Sequence, residues 1–202
     1  MSGKKTTSGK NGQSDGRQQR GERNRKKILD ATLALIEEGN LVPSAPEVSE
    51  RACVGLRTVF RHFDDKEGLS VQMEEHLGDT HDKLFDGGDR EGSLPERILH
   101  AAQCRDRAYA RAKNVILSTQ VQLWQSETLR KLWAIKRRNL RRDLHDWLPE
   151  VKSLSPPRQA AAETATSFET WYQLRNDQGL THKAIVAAIS EVLCLLLEVE
   201  PA

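Results

Sequence analysis

The sequence predicts an all-α protein of about nine helices, and three observations carry that expectation. Polar N-cap residues recur with a glutamate three positions on, at Ser44 and Glu47, Asp64 and Glu67, and Ser93 and Glu96. Each such capping box satisfies orphan N–H groups of a first helical turn. Apolar residues recur at helical spacing, as in Ile28, Leu29, Ala31, Thr32, Leu35 and Ile36 ahead of Gly39. Strand signals are missing, since no apolar/polar alternation is sustained and no Asn-Gly turn joins two such runs.

Further starts follow the same chemistry. Ser155 precedes Pro156, which sits at the first helical position, where its lack of an N–H does no harm. Ser126 and Thr181 are two more caps, and Gly179 is a stop. The C-terminal half then reads as helices over 93–112, 114–125, 126–148, 156–178 and 181–198. The Asp-Gly-Gly-Asp run at 86–89 reads as a linker. Three segments result: a disordered basic arm over 1–23, a small helical domain over 24–70, and a larger helical bundle over 71–202.

With 202 residues, 37% of them hydrophobic, the chain can bury a core. The net charge of +2 hides an uneven distribution. Lys4, Lys5, Lys10, Arg17, Arg20, Arg23, Arg25, Lys26 and Lys27 are opposed there only by Asp15 and Glu22. That end seeks a polyanion. As a disordered arm it has two readings, a minor-groove contact or a solubilising tail. The cysteines Cys53, Cys104 and Cys194 lack zinc or disulfide spacing and suit a reducing cytoplasm. No apolar run approaches the ~20 residues that span a bilayer, and no signal-peptide pattern opens the chain. No phosphate loop, paired metal ligands or nucleophile motif is present, which argues against an enzyme and against a metal or cofactor.

Between Ser44 and Phe63 two short helices lie three or four residues apart, the spacing of a helix-turn-helix. Val48 and Ala52 of the first, and Val59 and Phe63 of the second, face inward; Leu56, Arg57, Thr58, Arg61 and His62 are left outside. A helix so short is unstable alone. It makes sense as a probe whose N-terminal residues enter a major groove.

The run Ile28-Leu29-Asp30-Ala31, then Gly39, Glu47-Val48-Ser49-Glu50-Arg51-Ala52, Arg57-Thr58-Val59-Phe60-Arg61-His62-Phe63 and Lys66-Glu67-Gly68-Leu69 resembles the N-terminal domain of the TetR family of transcriptional regulators. The resemblance implies a homodimer joined through its last two helices in a four-helix bundle, with a small-molecule pocket among the helices between. It also implies a pseudo-palindromic double-stranded operator, bound to repress transcription and released by an effector. Three positions depart from the pattern. Cys53 stands where glycine makes a left-handed turn, Gly55 where Ser or Thr caps the recognition helix, and Phe60 where a tyrosine hydroxyl reaches phosphate. These departures leave a rival open, a dimeric helical adaptor with weakened or lost DNA binding.

The candidate DNA surface comprises Ser44, Ala45, Gly55, Leu56, Arg57, Thr58, Phe60, Arg61, His62 and Lys66. Arg57 is the candidate for a base, because guanidinium is bidentate to guanine O6 and N7. Thr58, His62 and Lys66 suit phosphates, as do Ser44 and Ala45. The alternative for the polar and charged ones is a solvated position on an exposed helix, and for Phe60 a place in the core. In the last helix, Ile185, Ala188, Ile189, Val192, Leu193, Leu196 and Leu197 make an apolar stripe wider than one neighbour covers. The alanine-rich 160–165 run would admit a close partner helix. Candidate effector contacts are His100, Arg107, Trp124, Asn139 and Trp171, with core packing as the alternative for the tryptophans.

Overall fold

The computed structural model describes residues 11–62, 66–85 and 90–201. Among these the protein is all-helical, with nine α-helices and no strand. They are α1 (Asn11–Glu37), α2 (Ala45–Ala52), α3 (Leu56–His62), α4 (Lys66–Phe85), α5 (Leu94–Gln120), α6 (Glu127–Trp147), α7 (Pro156–Ala165), α8 (Phe168–Tyr172) and α9 (His182–Leu197). A 3₁₀ turn, Pro149–Ser153, follows α6, and a π turn, Gln173–Asp177, continues α8. The chain divides into two compact units, Met1–His76 and Leu77–Ala202. The division falls inside α4, beyond the boundary at 70 expected from sequence.

In the first unit α1 packs on α2 and α3. Ile28, Leu29, Ala31 and Ile36 of α1 are buried, as are Val48, Ala52, Val59 and Met73. The helical spacing of Ile28 to Ile36 creates that face. Gly39 ends α1 in the left-handed region, with φ 103°, and its N–H donates to the Ile36 carbonyl at 2.9 Å. That is the glycine stop the sequence suggested. Helix α1 also begins earlier than expected: residues 11–23, expected as part of a disordered arm, are helical from Asn11. Nucleation is the unfavourable step and propagation is not. The packed turns around Ile28 provide the nucleus, and Gln, Arg and Glu residues, good helix formers, carry it outward. Residues 1–10 lie outside those described.

The second unit is built around α5 and α9, with α6, α7 and α8 packed on them. Ile98, Ala101, Ala102, Tyr109, Trp147, Trp171, Ile185, Ile189 and Leu193 form the centre of its core. The Ser93 cap is as expected: its N–H and its hydroxyl both donate to Glu96 Oε2, at 2.8 and 2.7 Å. Two divisions differ from expectation. Instead of separate helices over 93–112 and 114–125, α5 runs unbroken to Gln120, because Ala112, Val115 and Thr119 continue one buried stripe and no glycine or proline interrupts it. Conversely, the single helix expected over 156–178 breaks at Thr166. There the Thr166 hydroxyl bonds the Ala162 carbonyl at 3.0 Å, and Ser167 caps α8 by accepting from the Thr170 N–H at 3.2 Å. Short hydroxyl side chains compete with the helical ladder in this way.

The break frees the Thr166 carbonyl, and two buried groups use it. Arg105 donates to it from Nη1 at 3.2 Å and the Tyr109 hydroxyl donates at 3.0 Å. Arg105, only 3% exposed, also donates to the Leu140 carbonyl at 2.7 Å and to Asp143 at 3.3 Å. Burial pushes the Asp143 carboxyl above its ordinary value, against the lowering effect of Arg105 and Arg90. A buried carboxylate, Asp106, accepts from Trp171 Nε1 at 2.8 Å and lies 2.9 Å from His182 Nδ1, tying α8 and the first turn of α9 to α5. Asp106→Ala would leave the indole N–H and the imidazole without that acceptor. The expected loss is about 2–4 kcal/mol of unfolding free energy, measured by urea denaturation; a change within about 0.5 kcal/mol would show that the pairing contributes nothing.

Candidate nucleic-acid interface

Helix α2 is fixed at its start by the capping box. The Ser44 N–H donates to Glu47 Oε2 at 2.7 Å, the Glu47 N–H to Ser44 Oγ at 3.5 Å, and Asn40 adds a 3.0 Å bond to Glu47 Oε1. The Ser44 hydroxyl and backbone N–H hold the Glu47 carboxyl below the usual carboxylate range. With its hydroxyl and N–H bonded to Glu47, Ser44 presents a closed cap rather than an open anion site. Ala45 is half-buried beside it.

The turn that follows aims α3. Cys53 takes the left-handed conformation, φ 51° and ψ 46°, and its N–H donates to the Glu50 carbonyl at 3.1 Å. Side chains other than glycine strain there by roughly 1–2 kcal/mol. Cys53 accordingly keeps the turn shape that a glycine would give, at the expense of strain. Ser49 braces it, donating from Oγ to the Val54 carbonyl at 2.6 Å and accepting the Val54 N–H on its own carbonyl at 3.1 Å. The Gly55 carbonyl accepts from the N–H groups of Thr58 at 2.7 Å and Val59 at 3.3 Å, so the cap works through backbone alone.

Within α3 one side chain, Val59, is buried. Leu56 is 41% exposed and Phe60 55%, and both Arg57 and Arg61 are exposed, so four of the candidate residues project from one short helix. Phe60 is an apolar ring held in solvent. Thr58 is half-buried. His62, expected outside, is half-buried as well, and a side chain on Gly21 of α1 would lie 3.9 Å from its Cε1. Burial, then the charges of Arg61 and Arg25, lower the His62 pKa from its ordinary value. The shift favours the neutral imidazole in the free chain. Lys66 begins α4, with its side chain outside the described residues, as are Phe63 and Asp64.

The five effector candidates are not gathered into one enclosed site. Trp171 is sealed in the core on Asp106, His100 is half-buried, and Arg107, Asn139 and Trp124 are exposed, Trp124 by 75%. Sequence periodicity puts an aromatic on a helix without saying which neighbour covers it, which is why Trp124 and Trp171 looked alike. Among the described residues no three His, Cys, Asp or Glu side chains form a metal set, and no helix is long and apolar enough to cross a membrane. The cationic first half of α1, beside α3, was legible as charge but not as helix.

The chain is 28% identical over 92 residues to an uncharacterized HTH-type transcriptional regulator, YvkB, of Bacillus subtilis (strain 168). That stretch is 45% of this chain and spans about half, 48%, of YvkB. The fold is similar to the crystal structure of a transcriptional regulator (RHA1_ro04179) from Rhodococcus sp. Rha1, with a TM-score of 0.65 at 19% identity, covering 88% of this chain and 96% of that one. No family model matches the sequence.

Substitutions at two positions test the turn and the imidazole. Cys53→Gly should leave stability unchanged or raise it by up to about 1 kcal/mol, whereas the β-branched Cys53→Val should lower it by more than about 1 kcal/mol; equal thermal midpoints for the two would contradict a left-handed Cys53. For His62, the depressed folded value means that stability is full above the ordinary pKa near 6.5 and declines as pH falls through and below it. His62→Gln should flatten that acid-side decline in a thermal melt series, and an unchanged pH profile would remove the assignment.

Proposed function

We propose that the protein is a TetR-type transcriptional regulator that binds duplex DNA through α2 and α3 and acts as a repressor released by a small-molecule effector. One observation carries this reading: a seven-residue helix, anchored by Val59 behind a braced left-handed turn, projects Leu56, Arg57, Phe60 and Arg61 into solvent. An isolated helix of that length would not persist, and a cation-bearing one held outward is suited to a major groove. Arg57 reads a guanine, while Thr58 and Arg61 meet phosphates.

The reading also takes the protein as a homodimer on a pseudo-palindromic operator, joined through the C-terminal helices. Support comes from α9, where Val192 and Leu195 are exposed, Leu195 by 69%, and from the exposed Ala160 and Ala161 of α7. Large apolar side chains left in solvent on a helix whose other face is core favour burial against a second copy. The effector is assigned to the second unit, where a ligand that favours the non-DNA-bound state would shift the equilibrium by its differential affinity. Binding to DNA upstream of the gene, by gel shift, tests the reading. Arg57→Ala should weaken binding by about 1–3 kcal/mol, roughly 5- to 150-fold, and relax preference at one base pair per half-site. Wild-type protein that ignores all upstream DNA would refute regulation by α3, and undiminished binding by Arg57→Ala would refute the role of that residue.

A further inference from the structure

We propose that the turns of α1 from Arg20 to Lys27 are a second DNA-contacting element, a cationic stretch of helix beside the end of α3 that takes the phosphate backbone flanking each half-site. The inference rests on the DNA-binding reading above and adds to it a surface outside the helix-turn-helix. Along α1 the half-buried Gly21 and Asn24 continue the line of the buried Ile28, and a side chain on Gly21 would come within 3.9 Å of Cε1 of His62, the last residue of α3. That line is the packing side. Arg20, Arg23 and Lys27, at i, i+3 and i+7, form an exposed stripe next to it, and Lys26 is exposed too. Arg25 lies 4.0 Å from Glu75 of α4, and Arg23 Nε donates to the Gln19 carbonyl at 3.3 Å while its side chain stays exposed. Between residues 18 and 29 the one acidic residue is Glu22. A stripe of like charge is therefore carried past the folded core and placed at the C-terminal end of the projecting helix.

The helical state decides what kind of contact this is. A flexible basic arm can thread a minor groove, but a helix with side chains is about 10–12 Å across and the minor groove is only about 6 Å wide. The stripe from Arg20 to Lys27 rises about 10 Å, comparable to three phosphates of one strand at about 3.4 Å of axis each. It therefore follows the backbone. Such contacts release counterions and are indifferent to sequence. The bases stay with α3, and the extension contributes affinity and lengthens the DNA covered.

The test is equilibrium anisotropy with the full chain on two duplexes, one of random sequence and one from the DNA upstream of the gene that the gel shift selects, between roughly 50 and 200 mM salt. For Arg20→Gln/Arg23→Gln/Lys27→Gln the slope of log K against log salt should fall by about 0.9 per lost phosphate contact, about 2–3 in all. The fall should be equal on both duplexes, so that their affinity ratio is kept. Arg20→Lys/Arg23→Lys, which preserves charge, should retain the wild-type slope. An unchanged slope in the triple variant, or a loss confined to the upstream duplex, would overturn the proposal. A wild-type protein with no salt-dependent affinity for either duplex would overturn DNA binding itself, and the extension with it.

Discussion

The burial of Val59 against α1 and α2 is the contact on which the exposed surface of the first unit depends. Seven residues form too few hydrogen bonds to offset the entropy of fixing their backbone. Helix α3 is stable because its apolar residue joins Ile28, Val48 and Ala52 in a shared core, while its caps hold only the ends. With its fold secured from behind, its front is free to carry Arg57, Phe60 and Arg61 without regard to packing. The turn before it concentrates the structural strain at Cys53 and spreads the restraint over Ser49 and Glu50, whose backbone carbonyls close it.

The second unit solves a different problem, because it buries charge. Arg105 and Asp106 are adjacent on α5, and their side chains are taken up by different partners. Arg105 faces α6 and the broken turn at Thr166; Asp106 faces α8 and α9. Isolated buried charges are costly, so each is hydrogen-bonded to groups fixed by other helices. Removing one partner therefore disturbs the seating of several helices. The break at Thr166, a defect within a single helix, becomes an acceptor for the unit as a whole.

Much of this was legible in the residue order. The capping glutamates at Glu47 and Glu96, the stop at Gly39 and the inward Val48, Ala52 and Val59 follow from local chemistry that tertiary packing had no reason to override. At Cys53 the family resemblance marked a turn where glycine is usual without deciding between strain and a different backbone, and the observed φ of 51° corresponds to strain. What escaped notice was set by contacts distant in sequence. Periodicity does not show that Thr166 gives up its carbonyl to a residue sixty-one positions away. It does not show that His62 is half-buried near Gly21, or that the polar turns before Asn24 are held helical by the packed ones after it. The same limit applies to the effector candidates, chosen by type and scattered by the fold between core and surface.

The uneven coverage of the four tryptophans makes the protein its own optical reporter. Trp147 and Trp171 are enclosed in the core and Trp133 is half-covered, while Trp124 stands in water. Emission from the native chain should thus combine two blue-shifted indoles, one intermediate and one red-shifted. A collisional quencher such as iodide reaches the last of these first, so anything that settles over the 121–125 turn is seen as shielding at a single residue.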